Sequence, residues 1–387
     1  MKKYLHTIVT GASLSILLFG IFLYFNYQQP TNELLVAGIY LLVLYFLLFT
    51  TGHPLTTEWI KKNTHSLAEK SLIFPVILIA LLYSYMWAHG FSPFQGTAAL
   101  FPFFFLFPVL GFLAFKKTQV VWSDFIILLF FLIPATLISF KNGTGLPVNG
   151  VNFGSVYKII IVLMGVYAFG VIRGIKDIGF YPEFNLKYLG TAILCWVGFI
   201  GLVFLVAYTG GFVRLAATDS LISKNLPEVF RNFTRIFIGT ALFEELYFRG
   251  LIQNMLKQKI GRYTSWHKSW QWGFGIFLVL ALITGYLMNK PLFWFPVLIT
   301  ILLFLAAFIF EKRQIQPQGT YVALAITSIF FGLVHFHAGS VIFVGLASVA
   351  GWAYGYTYLK TNNVFYAALV HTLVNSSEFL FALDGLK

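Results

Sequence analysis

Charge is scarce in this 387-residue chain: only 10% of the residues are Asp, Glu, Lys or Arg, and just 13 of them are acidic. Soluble domains carry about a quarter charged residues, so a water-soluble globular protein is excluded. Cysteine is nearly absent too. The one cysteine, Cys195, lies in an apolar stretch, so no intrachain disulfide can form, and redox compartment cannot be read from it. No His-Glu-x-x-His segment occurs, which removes the helical two-histidine arrangement of the common zinc peptidases.

What the chain has instead is apolar: 59% of its residues are hydrophobic, and 19% of the chain is aromatic. Runs at 14–25, 34–49, 73–87, 125–137, 159–171 and 297–310 are bounded by polar residues, the pattern of helices cut to bilayer thickness. The expected fold is all-α, a polytopic transmembrane helical bundle of about 12 to 14 spans. The net charge of +13 does not point to nucleic acid. Its cations sit in short loops between apolar runs, where the positive-inside bias accounts for them. Around Trp266, His267, Lys268 and Trp270, basic and aromatic residues read as interfacial anchors.

With the N-terminus inside, the inner loops hold Lys61, Lys62, Lys70, Lys116, Lys117, Arg173, Lys176, Lys187, Lys257, Lys259, Arg262, Lys268, Lys312, Arg313 and Lys360. The segment 210–235 breaks the rule with Arg214, Lys224, Arg231 and Arg235, and is expected to be an extracytoplasmic loop with an interfacial helical turn. The first apolar run lacks a small-x-small cleavage site and reads as an uncleaved span. A multi-pass chain without an organellar targeting run fits a bacterial-type plasma membrane.

Polar residues divide the chain. Residues 1–179 form bulky apolar spans whose interiors carry almost no acid or base, and Asp124, near a span end, reads as interfacial. Residues 188–387 carry every unusual intramembrane polar group. The linker 173–187, with Gly174, Gly179 and Pro182, separates an accessory N-terminal bundle from a functional C-terminal one.

Within the second bundle, Glu244 and Glu245 lie inside a membrane-spanning pattern that starts at Asn225 and Pro227 and is expected to run about 30 residues. A carboxylate at mid-span costs about 2.5–3.5 kcal/mol on insertion scales. Glu245 and Arg249, four residues apart, share a helix face and offset each other. Glu244 is left without a counterion, the condition of a group that serves as general base. Two later spans carry His335 and the pair His371 and Asn375, the last two at i and i+4, where two hydrogen-bond donors can meet an oxyanion. At 1.5 Å per residue, Glu244 lies about 20 Å from Lys257, His335 about 24 Å from Gly319 and His371 about 16 Å from Lys360, one broad layer. His337, two residues on from His335, is expected to face elsewhere. Gly351 and Gly355 have the spacing of a close helix contact.

Glu244-Glu245-x-x-x-Arg249, Phe331-x-x-x-His335 and His371-x-x-x-Asn375, in this order on separate spans, resemble the three motifs of the CPBP family, also called Abi or CAAX-protease-like intramembrane endopeptidases. The resemblance covers roughly residues 188–387. It implies a glutamate-dependent peptide-bond hydrolase acting on a peptide or membrane-tethered protein. Glu244 with His335 would activate water, and His371 with Asn375 would stabilise the oxyanion. Glu245, Arg249 and Phe331 would support the site. One departure stands out: two further apolar spans, at about 270–310, come between the first and second motifs, where the family has a short connection. An even insertion preserves the direction of the next helix. The resemblance implies no required metal; were zinc present, Glu244, His335 and His371 would hold it. Two other functions compete. A non-proteolytic scaffold or regulator of a sensor or secretion partner has no use for an unpaired Glu244. A transporter using the cluster as an ion site would fit an internal repeat, and none links the two halves.

Overall fold

The structure, a computed structural model, describes residues 2–28, 31–64, 68–94, 99–115, 119–137, 153–208, 214–215, 226–263, 265–313, 318–380 and 383–384. They fall into two compact units, Met1–Glu183 and Phe184–Lys387. Each is built almost wholly of helices, as an apolar chain requires, because a helix satisfies its own backbone where water is missing. Among the described residues, seven helices are long and apolar enough to cross a membrane, or eight if one bent pair counts as a single span. That is short of the 12 to 14 expected. The run at 125–137 that read as a span in the sequence lies in a helix of 16 residues, Trp122–Leu137.

The first unit contains α1 (Lys2–Asn26), α2 (Thr31–Thr50), α3 (Pro54–Thr64), α4 (Ile73–Ala88), α5 (Phe101–Ala114), α6 (Trp122–Leu137) and α7 (Phe153–Gly165), which runs on as a π-helix to Ile172. The bent pair is α2 and α3, at 95°. The interior is α7 with its π extension, where Ile160, Leu163, Met164, Tyr167 and Phe169 are all buried. Asp124 corrects its interfacial reading. It is buried, accepts Val121 N–H at 2.8 Å and binds the Arg173 guanidinium at 2.6 and 2.9 Å. Arg173 also donates to the Gln119 carbonyl. A sequence cannot show that a carboxylate at a helix start has its counterion 49 residues on. Lys116 and Lys117 lie outside the described residues.

The second unit begins with α8 (Leu186–Val203), whose Asn185 cap accepts from the Lys187 and Tyr188 amides at 3.0 and 3.3 Å. Next comes a composite helix. It runs as α9 (Leu226–Ile236), a π stretch (Phe237–Ala241), α10 (Leu242–Glu245), a longer π stretch (Leu246–Gln253) and α11 (Asn254–Tyr263). A continuous α-helix was expected here; instead the glutamates occupy one α turn between two π segments, a distortion frequent at functional sites. The proposed cap Asn225 and most of the 210–225 loop lie outside the described residues; Arg214–Leu215 pairs antiparallel with Leu383–Asp384.

The inserted pair is a helical hairpin, α12 (Trp266–Met288) and α13 (Trp294–Arg313). It is followed by α14 (Thr320–Val334), α15 (Val341–Thr361) and α16 (Val364–Leu380). Trp270 Nε1 donates to the Phe304 carbonyl at 2.8 Å across the hairpin. Glu311, buried at the end of α13, accepts the Gly319 and Tyr321 amides and so caps α14. Leu303, Phe304 and Ala307 of α13 pack with Tyr321, Leu324, Ala325 and Ile329 of α14.

The centre of the unit is α14 against α15, the two most buried spans. Lipid tails are as apolar as leucine, so helices gain from association mainly by close approach of their backbones. Gly332 permits it: a Cβ there would run into Ser348 Oγ and stand 2.5 Å from the Val344 carbonyl. Gly355 does the same further along α15, where a Cβ would lie 2.6 Å from Gln253 Oε1.

Candidate functional site

Five elements, α8, the composite helix, α14, α15 and α16, converge on one cavity of about 430 Å³ in the second unit. The composite helix contributes Glu244, α14 contributes Phe331, its C-terminal cap is His335, and α16 contributes His371 and Asn375. The remaining wall is largely apolar and includes Phe199, Val203, Leu346 and Tyr354. Residues 126 positions apart thus meet in space.

Glu245 stands at the base of the arrangement and has no exposed surface. Its Oε2 accepts Arg249 Nε at 2.9 Å, and its Oε1 meets His371 Nδ1 at 2.9 Å. A carboxylate facing a guanidinium is an acceptor, so the imidazole proton lies on Nδ1 and His371 turns Nε2 away from Glu245. Glu244 lies on that side, with its Oε2 4.0 Å from His371 Nε2. This is beyond a hydrogen bond. Glu244 Oε2 has no hydrogen-bond partner among the described residues, although the side chain is 24% exposed. The two adjacent carboxylates therefore differ in kind: one is saturated by two partners, the other has a buried oxygen without a partner among the described residues, at the wall of the cavity.

His335 is fixed by the same logic. Its Nδ1 lies 2.7 Å from the Phe331 carbonyl, which can only accept, so Nδ1 donates and Nε2 remains an acceptor. The helix ends at this residue and continues as a 3₁₀ turn over His335–Ala338. His337, two residues on, is exposed and is not among the residues that line the cavity, although its ring centroid is 5.8 Å from that of His335.

Phe331 is the hub of the aromatic packing. Its ring centroid lies 4.6 Å from His335 and 5.8 Å from His371, the latter edge-on at 89°. The Arg249 guanidinium sits 5.3 Å from Phe331 and 5.9 Å from both Phe248 and Tyr354, within cation–π range. Its Nη1 and Nη2 have no hydrogen-bond partner among the described residues. Asn375 lines the cavity with its side chain exposed, one turn beyond the buried His371.

Two contacts had no signal in the sequence. Glu245 reads as a partner of Arg249 alone, because only that partner is at a helical spacing. Tyr354 reads as one aromatic among 20 tyrosines, yet it stacks on His371 at 4.7 Å and 8°. Among the described residues, no group of three or more His, Cys, Asp or Glu is placed to hold a metal ion. Glu244, His335 and His371 line one cavity without forming such a ligand set.

Fold and cavity together define a class: a multi-pass helical membrane protein in which Glu244, His335 and His371 line one cavity of the second unit. Residues 310–377 match the family model described as Rce1-like, type II CAAX prenyl endopeptidase Rce1-like, which is of the CPBP/Abi family. The matched segment contains Phe331, His335, His371 and Asn375 and begins where the inserted hairpin ends; Glu244, Glu245 and Arg249 precede it. No curated protein and no solved structure matches the chain.

Proposed function

We propose that the protein is an intramembrane endopeptidase that hydrolyses a peptide bond with a water molecule activated by Glu244 and His335. The observation that carries this reading is the unpartnered Glu244 oxygen, in a cavity shared with His335, His371 and Asn375. Such an oxygen is suited to take a proton from water, and His335 Nε2 is a second acceptor on a residue lining the same cavity. Water oxygen attacks the carbonyl carbon, its proton passes to Glu244, and the carbonyl becomes an oxyanion. His371, whose Nδ1–H stays on Glu245, donates to that oxyanion from Nε2 once that nitrogen has taken a proton from solvent. The Asn375 amide is the second donor. As the C–N bond breaks, Glu244 returns its proton to the leaving nitrogen.

This chemistry needs no cofactor, and Glu245, Arg249 and Phe331 serve to hold His371 and His335 in place. The substrate is a peptide or membrane-tethered protein, with CAAX-type prenylated chains the class named by the matched family. A bacterial-type plasma membrane is the proposed location.

The test compares wild type with Glu244→Gln by terminal-peptide mass spectrometry of membrane and secreted fractions. Purified protein is assayed alongside on an internally quenched, prenylated CAAX peptide. New termini that vanish in Glu244→Gln support the reading. Processing that survives in Glu244→Gln, His335→Ala and His371→Ala, with each protein expressed, refutes it. In that case a scaffold or transporter role takes its place.

A further inference from the structure

Four groups meet around the His371 ring. Glu245 fixes one nitrogen at 2.9 Å, Glu244 lies 4.0 Å from the other, and Phe331 stands edge-on to the ring at 5.8 Å. The fourth is Tyr354, parallel to the imidazole within 8° and 4.7 Å from it, centroid to centroid. A hydrogen bond through Nδ1 fixes where one atom of the ring sits but leaves the ring free to turn about that contact. A flat neighbour removes that freedom, because turning would carry the imidazole edge into the tyrosine face.

Tyr354 is itself held firmly. It is 1% exposed, its ring meets Phe331 at 5.7 Å and 83°, and the Arg249 guanidinium lies 5.9 Å from its centre. Its position on α15 is set by the close crossing with α14 described above. It also lines the cavity. We propose that Tyr354 is a positioning residue for His371: its ring, rather than its hydroxyl, holds the imidazole plane so that Nε2 points into the cavity toward Glu244 and the reacting carbonyl.

The inference rests on the proteolytic reading for its effect on rate, but not for its effect on the histidine. Full-length wild type, Tyr354→Phe, Tyr354→Leu and Glu244→Gln are purified in detergent and assayed on the quenched, prenylated CAAX peptide across pH. The same proteins, labelled with ¹⁵N-histidine, are examined by NMR for the tautomer and titration of His371, assigned by loss of its signals in His371→Gln. Tyr354→Leu is expected to lower kcat by about 10- to 100-fold with KM little changed, the penalty of a misaimed group. It is also expected to displace the pH profile and to mix the two neutral tautomers of His371. Tyr354→Phe keeps the ring and should recover most of the rate and the single Nδ1–H tautomer.

Equal losses in Tyr354→Phe and Tyr354→Leu would overturn the proposal by assigning the effect to the hydroxyl. An unchanged His371 spectrum in Tyr354→Leu would overturn it also. If wild type leaves the peptide uncut while Tyr354→Leu alone disturbs the His371 tautomer, positioning stands and the proteolytic reading is the one lost.

Discussion

Glu244 and Glu245 are neighbours of identical chemistry, and the structure predicts opposite consequences for the same substitution. Glu245→Gln removes the charge that faces Arg249 Nε and His371 Nδ1, both at 2.9 Å, in a place without solvent. Arg249 already leaves Nη1 and Nη2 without hydrogen bonds among the described residues, so nothing nearby can take over. Breaking a buried ion pair by neutralising one partner costs about 3–5 kcal/mol. For a domain of 150–250 residues each kcal/mol is worth about 2–4 °C, so the melting temperature should fall by about 6–20 °C. Glu244→Gln removes no hydrogen bond and no contact closer than 4.0 Å to His371, and should move the melting temperature by only about 2 °C or less. On the proposed mechanism its effect is on chemistry: loss of a general base is expected to lower kcat by about 10²–10⁴-fold. The assay is intrinsic fluorescence during heating in detergent, where the 9 tryptophans report unfolding, paired with peptide cleavage. Equal shifts in melting temperature for the two variants would refute the division of roles. So would a Glu245→Gln protein as stable as wild type.

Three further outcomes follow from packing. Gly332→Ala forces α14 away from α15 at Ser348 and Val344; a cost of about 1–3 kcal/mol is expected, read as a lowered melting temperature, with Gly332→Ser no better. Glu311→Ala uncaps α14 at Gly319 and Tyr321 and should cost about 0.5–2 kcal/mol, whereas Lys312→Ala, at the neighbouring exposed position, should cost less than about 0.5 kcal/mol. In the first unit, Asp124→Asn leaves Arg173 uncompensated and should destabilise that unit by about 3–5 kcal/mol; limited proteolysis that finds residues 1–183 as resistant as in wild type would contradict the buried pairing.

Helical membrane architecture was legible because composition alone forces it. The motif residues were legible because each carries a cost in lipid that chance does not explain: Glu244 without a counterion, His371 and Asn375 on one face. What spacing could not convey were contacts between helices and departures from α geometry. Tyr354 costs nothing in an apolar span and so gave no signal. The tightening of the chain into a 3₁₀ turn at His335 likewise gave no signal in the spacing. The count of 12 to 14 spans is not confirmed among the described residues, which hold seven or eight candidates. Hydropathy marks where a segment is apolar, but whether it continues long enough to cross depends on breaks such as the 95° bend between α2 and α3.

The Glu245–Arg249 pair also bears on how the chain is made. Arg249 emerges from the ribosome four residues after Glu245, whereas His371 follows 126 residues later. At about 5–20 residues per second that is a wait of about 6–25 s. During it, the nascent helix must reside in or beside the bilayer with only the arginine to shield its carboxylate. The ion pair thus works first as an aid to insertion, and only afterwards, once α16 has been synthesised, as the anchor on which the histidine is hung.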